Sequence, residues 1–142
     1  MDDLDCNEII DGLWLGSAPP EGMCLSEAGF ETVFLCAEEY QPEAEEFPGV
    51  EVKRYPLEDF VLNKRSKEIT RSCANEVLET LASGKKVLVS CLAGHDRSAT
   101  VVAYVLHLKF GWAGTKCIEH VQARRVDTLN KVQAKWLAKI KE

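Results

Sequence analysis

The chain has 142 residues, of which 46% are apolar and 28% charged, with a formal net charge of −6. This length and balance fit one globular domain and exclude a disordered, collagen-like or membrane-spanning chain. The acidic excess argues against a general nucleic-acid or anionic-membrane binder, which needs a spread basic surface, so neither nucleic acid nor membrane insertion is expected.

The opening residues MDDLDCNEII show neither a basic, apolar leader nor an Arg-rich amphipathic start, so no targeting segment is expected. Glu8-Ile9-Ile10 and Leu13-Trp14-Leu15 read as two short strands about a turn at Asp11-Gly12. Thr32-Val33-Phe34-Leu35-Cys36 is β-branched and aromatic, hence a strand, and residues 50–55 form another that ends at Pro56. Ile69, Cys73, Val77 and Leu81 recur at helical spacing, and Gly84 stops that helix. Lys85-Lys86-Val87-Leu88-Val89-Ser90 is apolar on both faces, which places it in the middle of a sheet. A near-continuous apolar helix follows over 98–110, ended by Gly111. Two more helices are expected around 114–125 and 130–141, the last with Val132, Trp136, Leu137 and Ile140 on one face. Strands alternating with helices predict a single α/β domain over residues 1–142, with a mostly parallel central sheet flanked by helices on both faces. In such sheets ligands bind beyond the carboxyl ends of the strands, here after Ser90.

Six cysteines lie at 6, 24, 36, 73, 91 and 117 with no C-x-x-C pair, and the histidines at 95, 107 and 120 supply no second ligand cluster. No metal and no cofactor are expected, and the thiols of a cytoplasmic protein stay reduced.

The segment after the central strand reads Cys91-Leu92-Ala93-Gly94-His95-Asp96-Arg97-Ser98. A cysteine at a strand end here faces a loop that winds into the first turn of a helix. The loop amides of Leu92, Ala93, Gly94, His95 and Asp96 and the helix N-terminus form a concave anion site. The same field favours a thiolate, the nucleophilic form of cysteine. Arg97 presents a planar fork that matches two phosphate oxygens, and Gly94 lets the backbone turn its amides inward. Ser98 can donate to the cysteine sulfur and help it leave in a second step. A nucleophile, an anion cradle and a bidentate arginine describe phosphoryl transfer to a thiolate. None of the other five cysteines has an arginine six residues on.

This segment resembles the signature H-C-x5-R-[ST] of the cysteine-dependent protein phosphatases, and within them the compact dual-specificity group. Residues 10–17, Ile-Asp-Gly-Leu-Trp-Leu-Gly-Ser, look like that group's opening stretch. The resemblance implies that Cys91 attacks phosphorus while Arg97 and the loop amides hold the phosphoryl oxygens. It also implies a general acid about thirty residues earlier; Tyr55-Pro56-Leu57-Glu58-Asp59-Phe60 puts Asp59 there, with Glu58 as its substitute. Position 90 is Ser where the family has His, which implies a higher pH optimum rather than lost activity. Residues 125–130 match the family's tail only loosely.

Other residues carry competing readings. Asp96 either caps the helix or shapes the loop, and it resembles a loop aspartate of myotubularin-type lipid phosphatases. His95 is either a rim contact or a solvated loop residue, and His107 and His120 are structural. Phe34-Leu35-Cys36-Ala37-Glu38-Glu39-Tyr40 looks like a stretch of the phosphatase-and-tensin-type lipid phosphatases, which implies that Cys36 is a redox partner of Cys91; a buried core cysteine is the other reading. The loop carries no lysine to hold a multiply charged inositol phosphate. The basic residues Lys53-Arg54 and Lys64-Arg65-Ser66-Lys67 either read acidic residues around a phosphosite or form a solvated face. The expected substrate is therefore a phosphorylated protein, with phosphotyrosine and phosphoserine/threonine both admitted, acted on by a monomer. A phosphoinositide or other non-protein phosphatase, a weakly catalytic phosphate-binding module and a thiol redox protein are the alternatives.

Overall fold

The apolar run after Lys86 becomes strand β5 (Val87–Ser90), and all four of its residues are buried. The computed structural model, which describes residues 4–59 and 61–141, places β5 at the centre of a five-stranded sheet of order β1-β2-β5-β3-β4. Strands β1 (Cys6–Ile10) and β2 (Leu13–Gly16) form the antiparallel hairpin about residues 11–12. Strands β3 (Thr32–Ala37) and β4 (Glu51–Leu57) complete the sheet, and every pairing other than β1·β2 is parallel. Strand β4 continues through Pro56 instead of ending there. It can do so because it is the edge strand, where a missing N–H donor breaks no ladder bond.

Alternation sends the two sets of strand side chains to different covers. Leu13, Leu15, Phe34, Cys36, Val87 and Val89 bury under four α-helices: α1 (Lys64–Ala82), α2 (Arg97–Phe110), α3 (Gly114–Arg124) and α4 (Val132–Ala138). Val33, Leu35 and Leu88 bury on the other face with Leu25, Phe30 and Phe47, beside short 3-10 turns at Leu25–Ala28 and Ala44–Glu46. Helical segments thus flank both faces unequally. Each buried Val, Leu or Phe contributes about 1.5–3 kcal/mol, so this two-sided burial holds β5 and the loop that leaves it. None of the helices among the described residues is long and apolar enough to cross a membrane.

Three helix boundaries differ from the sequence pattern. Helix α1 starts a full turn before Ile69, because Asn63 and Ser66 form a reciprocal cap: Ser66 N–H donates to Asn63 Oδ1 at 2.9 Å and Asn63 N–H to Ser66 Oγ at 2.8 Å. Helix α2 begins at Arg97 rather than 98. Helix α4 is shorter than 130–141, and Val132 is 44% exposed while Gln133 and Leu137 are buried. Trp136 still turns inward and stacks on Tyr104, ring centroids 5.8 Å apart. Phe60, which closes the acid-loop stretch, and residues 1–3 and 142 lie outside the described residues.

Candidate active site

Cys91 leaves the carboxyl end of β5 and is buried. The loop between it and α2 is held from outside at four consecutive carbonyls. Ala18 N–H donates to the Leu92 carbonyl, Arg125 Nη2 to that of Ala93, Arg125 Nε to that of Gly94, and Leu129 N–H to that of His95, each at 2.9 Å. No peptide bond here is cis. In a trans peptide the N–H of the next residue points opposite to the carbonyl. With four carbonyls turned outward, the amides of Ala93, Gly94, His95 and Asp96 are turned toward the inside of the loop. Gly94 is required: its φ is +74°, and a Cβ would stand 2.5 Å from the Gly16 carbonyl and 2.8 Å from Arg125 Nη2.

Arg97 opens α2 and is 4% exposed. Its guanidinium meets the Glu39 carboxylate end-on, Nη1 donating to Oε1 at 2.6 Å and Nη2 to Oε2 at 2.8 Å. Nη1 also donates to the Leu57 carbonyl at 2.9 Å. Of five N–H hydrogens, these bonds use three. The remaining two, on Nε and Nη2, lie side by side on the edge that faces Asp59, whose Oδ1 is 3.8 Å from Nε. That edge is the fork a phosphoryl group would meet. Burial works against the charge of Arg97, but the Glu39 hydrogen bond and the fields of Cys91, Glu39 and Asp59 outweigh it and raise its basicity. In return Arg97 draws the Glu39 carboxyl down from 4.5 to about 2.

Ser98 Oγ–H donates to Cys91 Sγ at 3.1 Å. Cys91, Arg97 and Asp59 line one cleft, with His95 and Asp96 on its wall and exposed Leu92 at its edge. The arrangement can hold a tetrahedral dianion against a thiol with a carboxyl group facing it. Glu58 does not line that cleft; it borders a separate groove with Val61, Asn63 and Arg65 and a small cavity that Arg97 also lines.

The other residues singled out from the sequence divide. Asp96 makes no side-chain cap; instead its Oδ2 lies 3.4 Å from Lys131 Nζ, and its buried Oδ1 has no hydrogen-bond partner. The capping half of its expected role fails because the tail brings a cation to it. Ser90 is buried, its hydroxyl donating to the Phe34 carbonyl at 3.5 Å on the neighbouring strand. Cys36 is fully buried with its sulfur 4.0 Å from that of Cys73 on α1. Burial pushes the Cys73 thiol well above its ordinary value. In the β3·β5 ladder Leu35 pairs with Ser90, so Cys36 and Cys91 each follow a paired position on adjacent strands. His107 Nδ1 and His120 Nε2 contact the carbonyls of Trp112 and Ile9 at 2.7 and 2.9 Å, as structural residues do. In the basic run, Lys53 pairs with Glu76 at 2.8 Å, Arg54 donates to the Pro42 carbonyl, and Lys67 lies over the Trp136 ring. Arg65 borders the groove of Glu58.

Three participants escape a reading of the sequence: Glu39, Arg125 and Lys131. Glu39 has one signal, its place just beyond the carboxyl end of β3, the neighbour of β5. Arg125 opens the loosely matching stretch 125–130 and Lys131 follows it, and neither carries a local pattern.

A cysteine at the carboxyl edge of a mostly parallel sheet, cradled by inward amides and an arginine, defines the cysteine-based phosphatases of protein-tyrosine-phosphatase-like fold. Residues 13–141 match the dual specificity phosphatase catalytic domain, and the chain belongs to that family. Among solved structures, a mutant form of Tk-PTP is 26% identical over 95% of this chain and 92% of its own, with a TM-score of 0.82. PTPMT1 (24% identical, 94% and 91% covered, TM-score 0.77) and human DUSP28 (24%, 94% and 90%, TM-score 0.77) share the fold. No curated protein matches the chain significantly by sequence.

Proposed function

We propose that residues 1–142 form a metal-independent, cytoplasmic, monomeric phosphatase that hydrolyses phosphotyrosine and phosphoserine/threonine in proteins through a cysteinyl-phosphate intermediate. The observation that carries this reading is the convergence of Cys91, Arg97 and Asp59 on one cleft. The Cys91 thiolate attacks phosphorus, forming the S–P bond as the P–O bond to the leaving group breaks. Asp59, in its acid form, gives that oxygen its proton. The amides of Ala93, Gly94, His95 and Asp96 and the Nε–Nη2 edge of Arg97 hold the three phosphoryl oxygens through both steps. Asp59, now a carboxylate, takes a proton from water as the water oxygen attacks phosphorus. The S–P bond breaks and the electron pair returns to sulfur, eased by the hydrogen bond from Ser98. The phosphoryl charge is met by Arg97 and the amides, so the scheme calls on no metal or cofactor. Cys36 is the redox partner of Cys91 in this reading.

One observation favours a second substrate class. Lys131 brings to the cleft the cation that the loop lacks, and a phosphoinositide or other multiply charged non-protein phosphate would use it. PTPMT1, one of the proteins that share the fold, has a crystal structure in complex with PI(5)P.

The test is hydrolysis of an aryl phosphate in reducing buffer with chelator, wild type beside Cys91→Ser, followed by phosphopeptides and phosphoinositides at equal concentration. Turnover abolished by Cys91→Ser and faster on phosphopeptides is the expected result. Preference for phosphoinositides moves the assignment to the second class, and an inactive wild type that still binds phosphate leaves only a binding module.

A further inference from the structure

Arg125 follows α3 and stands behind the cleft rather than in it; it is 5% exposed. All five of its N–H hydrogens have acceptors. Nε donates to the Gly94 carbonyl and Nη2 to that of Ala93, both at 2.9 Å. On the far side the fork grips Asp5, Nη1 to Oδ1 at 3.1 Å and Nη2 to Oδ2 at 3.0 Å, and Nη1 also donates to Asn7 Oδ1 at 2.9 Å.

We propose that Arg125, held by Asp5 and Asn7 at the start of the chain, is a positioning residue that sets the anion affinity of the phosphate loop. Its fork pins two successive carbonyls outward, and planar trans peptides then turn the Gly94 and His95 amides inward. Without that grip a rotation of either peptide plane would aim a carbonyl oxygen at the phosphoryl group, turning an attraction into a repulsion. A lysine cannot replace it: one ammonium is a point donor and does not span two carbonyls and a carboxylate in a fixed plane. Asp5 matters as the anchor of that plane more than as a charge, since its side chain is 65% exposed and its field is screened. The fork's grip nevertheless holds the Asp5 carboxyl below its ordinary range, first through the Arg125 hydrogen bond. The packing around Gly94 agrees, because the loop backbone approaches Arg125 and Gly16 too closely for any side chain.

The catalytic consequence rests on the phosphatase reading; the anion cradle does not. The experiment therefore reads both in Arg125→Lys and Asp5→Asn beside the wild type. Tungstate affinity is measured by calorimetry, aryl phosphate hydrolysis by kcat and KM, and Cys91 alkylation by the ratio of iodoacetate to iodoacetamide rates. Arg125→Lys is expected to weaken tungstate binding and lower kcat/KM by roughly 10- to 100-fold, with the fall shared by kcat because the amides hold the transition state. Asp5→Asn is expected to lose about 3- to 10-fold in tungstate affinity. The iodoacetate preference should fall in both, since loss of the cradle slows the anionic reagent more than the neutral one, whereas a merely loosened fold would speed both reagents. Unchanged tungstate affinity in a folded Arg125→Lys overturns the proposal. Should that variant fail to fold, unchanged affinity in Asp5→Asn overturns it. A wild type that binds tungstate but does not turn over removes the phosphatase reading and leaves the affinity comparison to decide on Arg125.

Discussion

Arg97 and Glu39, 58 residues apart in the chain, meet as fork and carboxylate, with both oxygens engaged at 2.6 and 2.8 Å. The pairing spends the end of the guanidinium on the protein and leaves its side edge toward the cleft, so in the proposed mechanism Glu39 sets which edge of Arg97 the phosphoryl group meets. Replacing it by glutamine keeps one acceptor and loses the second oxygen and the charge. Glu39→Gln is expected to lower kcat/KM on an aryl phosphate about 10-fold. A value within twofold of wild type would show that the Leu57 carbonyl alone orients Arg97.

The same pair fixes a pH dependence. The Glu39 carboxyl lies at about 2 in the folded chain against an ordinary 4.5, so the unfolded chain binds its proton first as pH falls. The stabilisation is complete above the ordinary value and is lost as pH drops through the folded one. Because the Glu39 side chain is 43% exposed, solvent screening holds this contribution to about 1 kcal/mol. Urea unfolding should show wild type more stable than Glu39→Gln at about pH 6 and the gap closing toward about pH 2.5. A gap that widened on acidification would contradict the pairing.

What a reader of the sequence alone can see follows from how local each interaction is. Cys91, Arg97 and Ser98 stand within one strand-loop-helix unit, and β5 announces its central place by burying both faces. Glu39, Arg125 and Lys131 reach the site through tertiary contacts that no spacing encodes. Asp96 reads as a cap because the residue before a helix usually is one, and Lys131 overrides that preference from the tail. The face of α4 misleads for a related reason: in seven residues the helical period barely repeats, so Val132 and Gln133 are interchangeable by pattern and only the packing separates them.

Gly94 offers a direct test of the close approach. Gly94→Ala adds a Cβ at 2.5 Å from the Gly16 carbonyl on a backbone with φ of +74°. The left-handed conformation costs about 1–2 kcal/mol for a residue with a Cβ, and the overlap adds about 1–3 kcal/mol. The expected outcome is a loss of about 2–5 kcal/mol in chemical denaturation, together with weaker phosphate inhibition. Unchanged stability and unchanged inhibition would mean that the β2 end yields freely.

Ser90 stands where the resemblance to the phosphatase signature places histidine, and its hydroxyl donates to the Phe34 carbonyl at 3.5 Å. A histidine there would present a cationic ring beside the nucleophile and favour the thiolate. Ser90→His is expected to move the acidic limb of the kcat/KM profile to lower pH while leaving the alkaline limb in place. An acidic limb that stays where it is in wild type would overturn the expectation that Ser90 raises the pH optimum.

Cys36 has two thiols as candidate partners, one in contact with it and one related to it by strand register. Cys73 is 4.0 Å away across the core, while Cys91 follows the adjacent strand position on the same buried face. In the proposed redox pairing, peroxide oxidises the Cys91 thiolate to the sulfenic acid, and attack by the Cys36 sulfur then forms a disulfide and releases water. Burial keeps Cys73 in its protonated, poorly nucleophilic form, so it should not compete for that sulfenic acid. Peptide mapping after a peroxide dose that just inactivates the enzyme is expected to yield a Cys36–Cys91 crosslink, and a thiol reductant to restore activity. In Cys36→Ser the same dose should give inactivation that reductant no longer reverses, because the sulfenic acid goes on to sulfinic acid. A Cys36–Cys73 crosslink with Cys91 oxidised beyond recovery would instead make Cys36 a core residue whose pairing does nothing for the nucleophile.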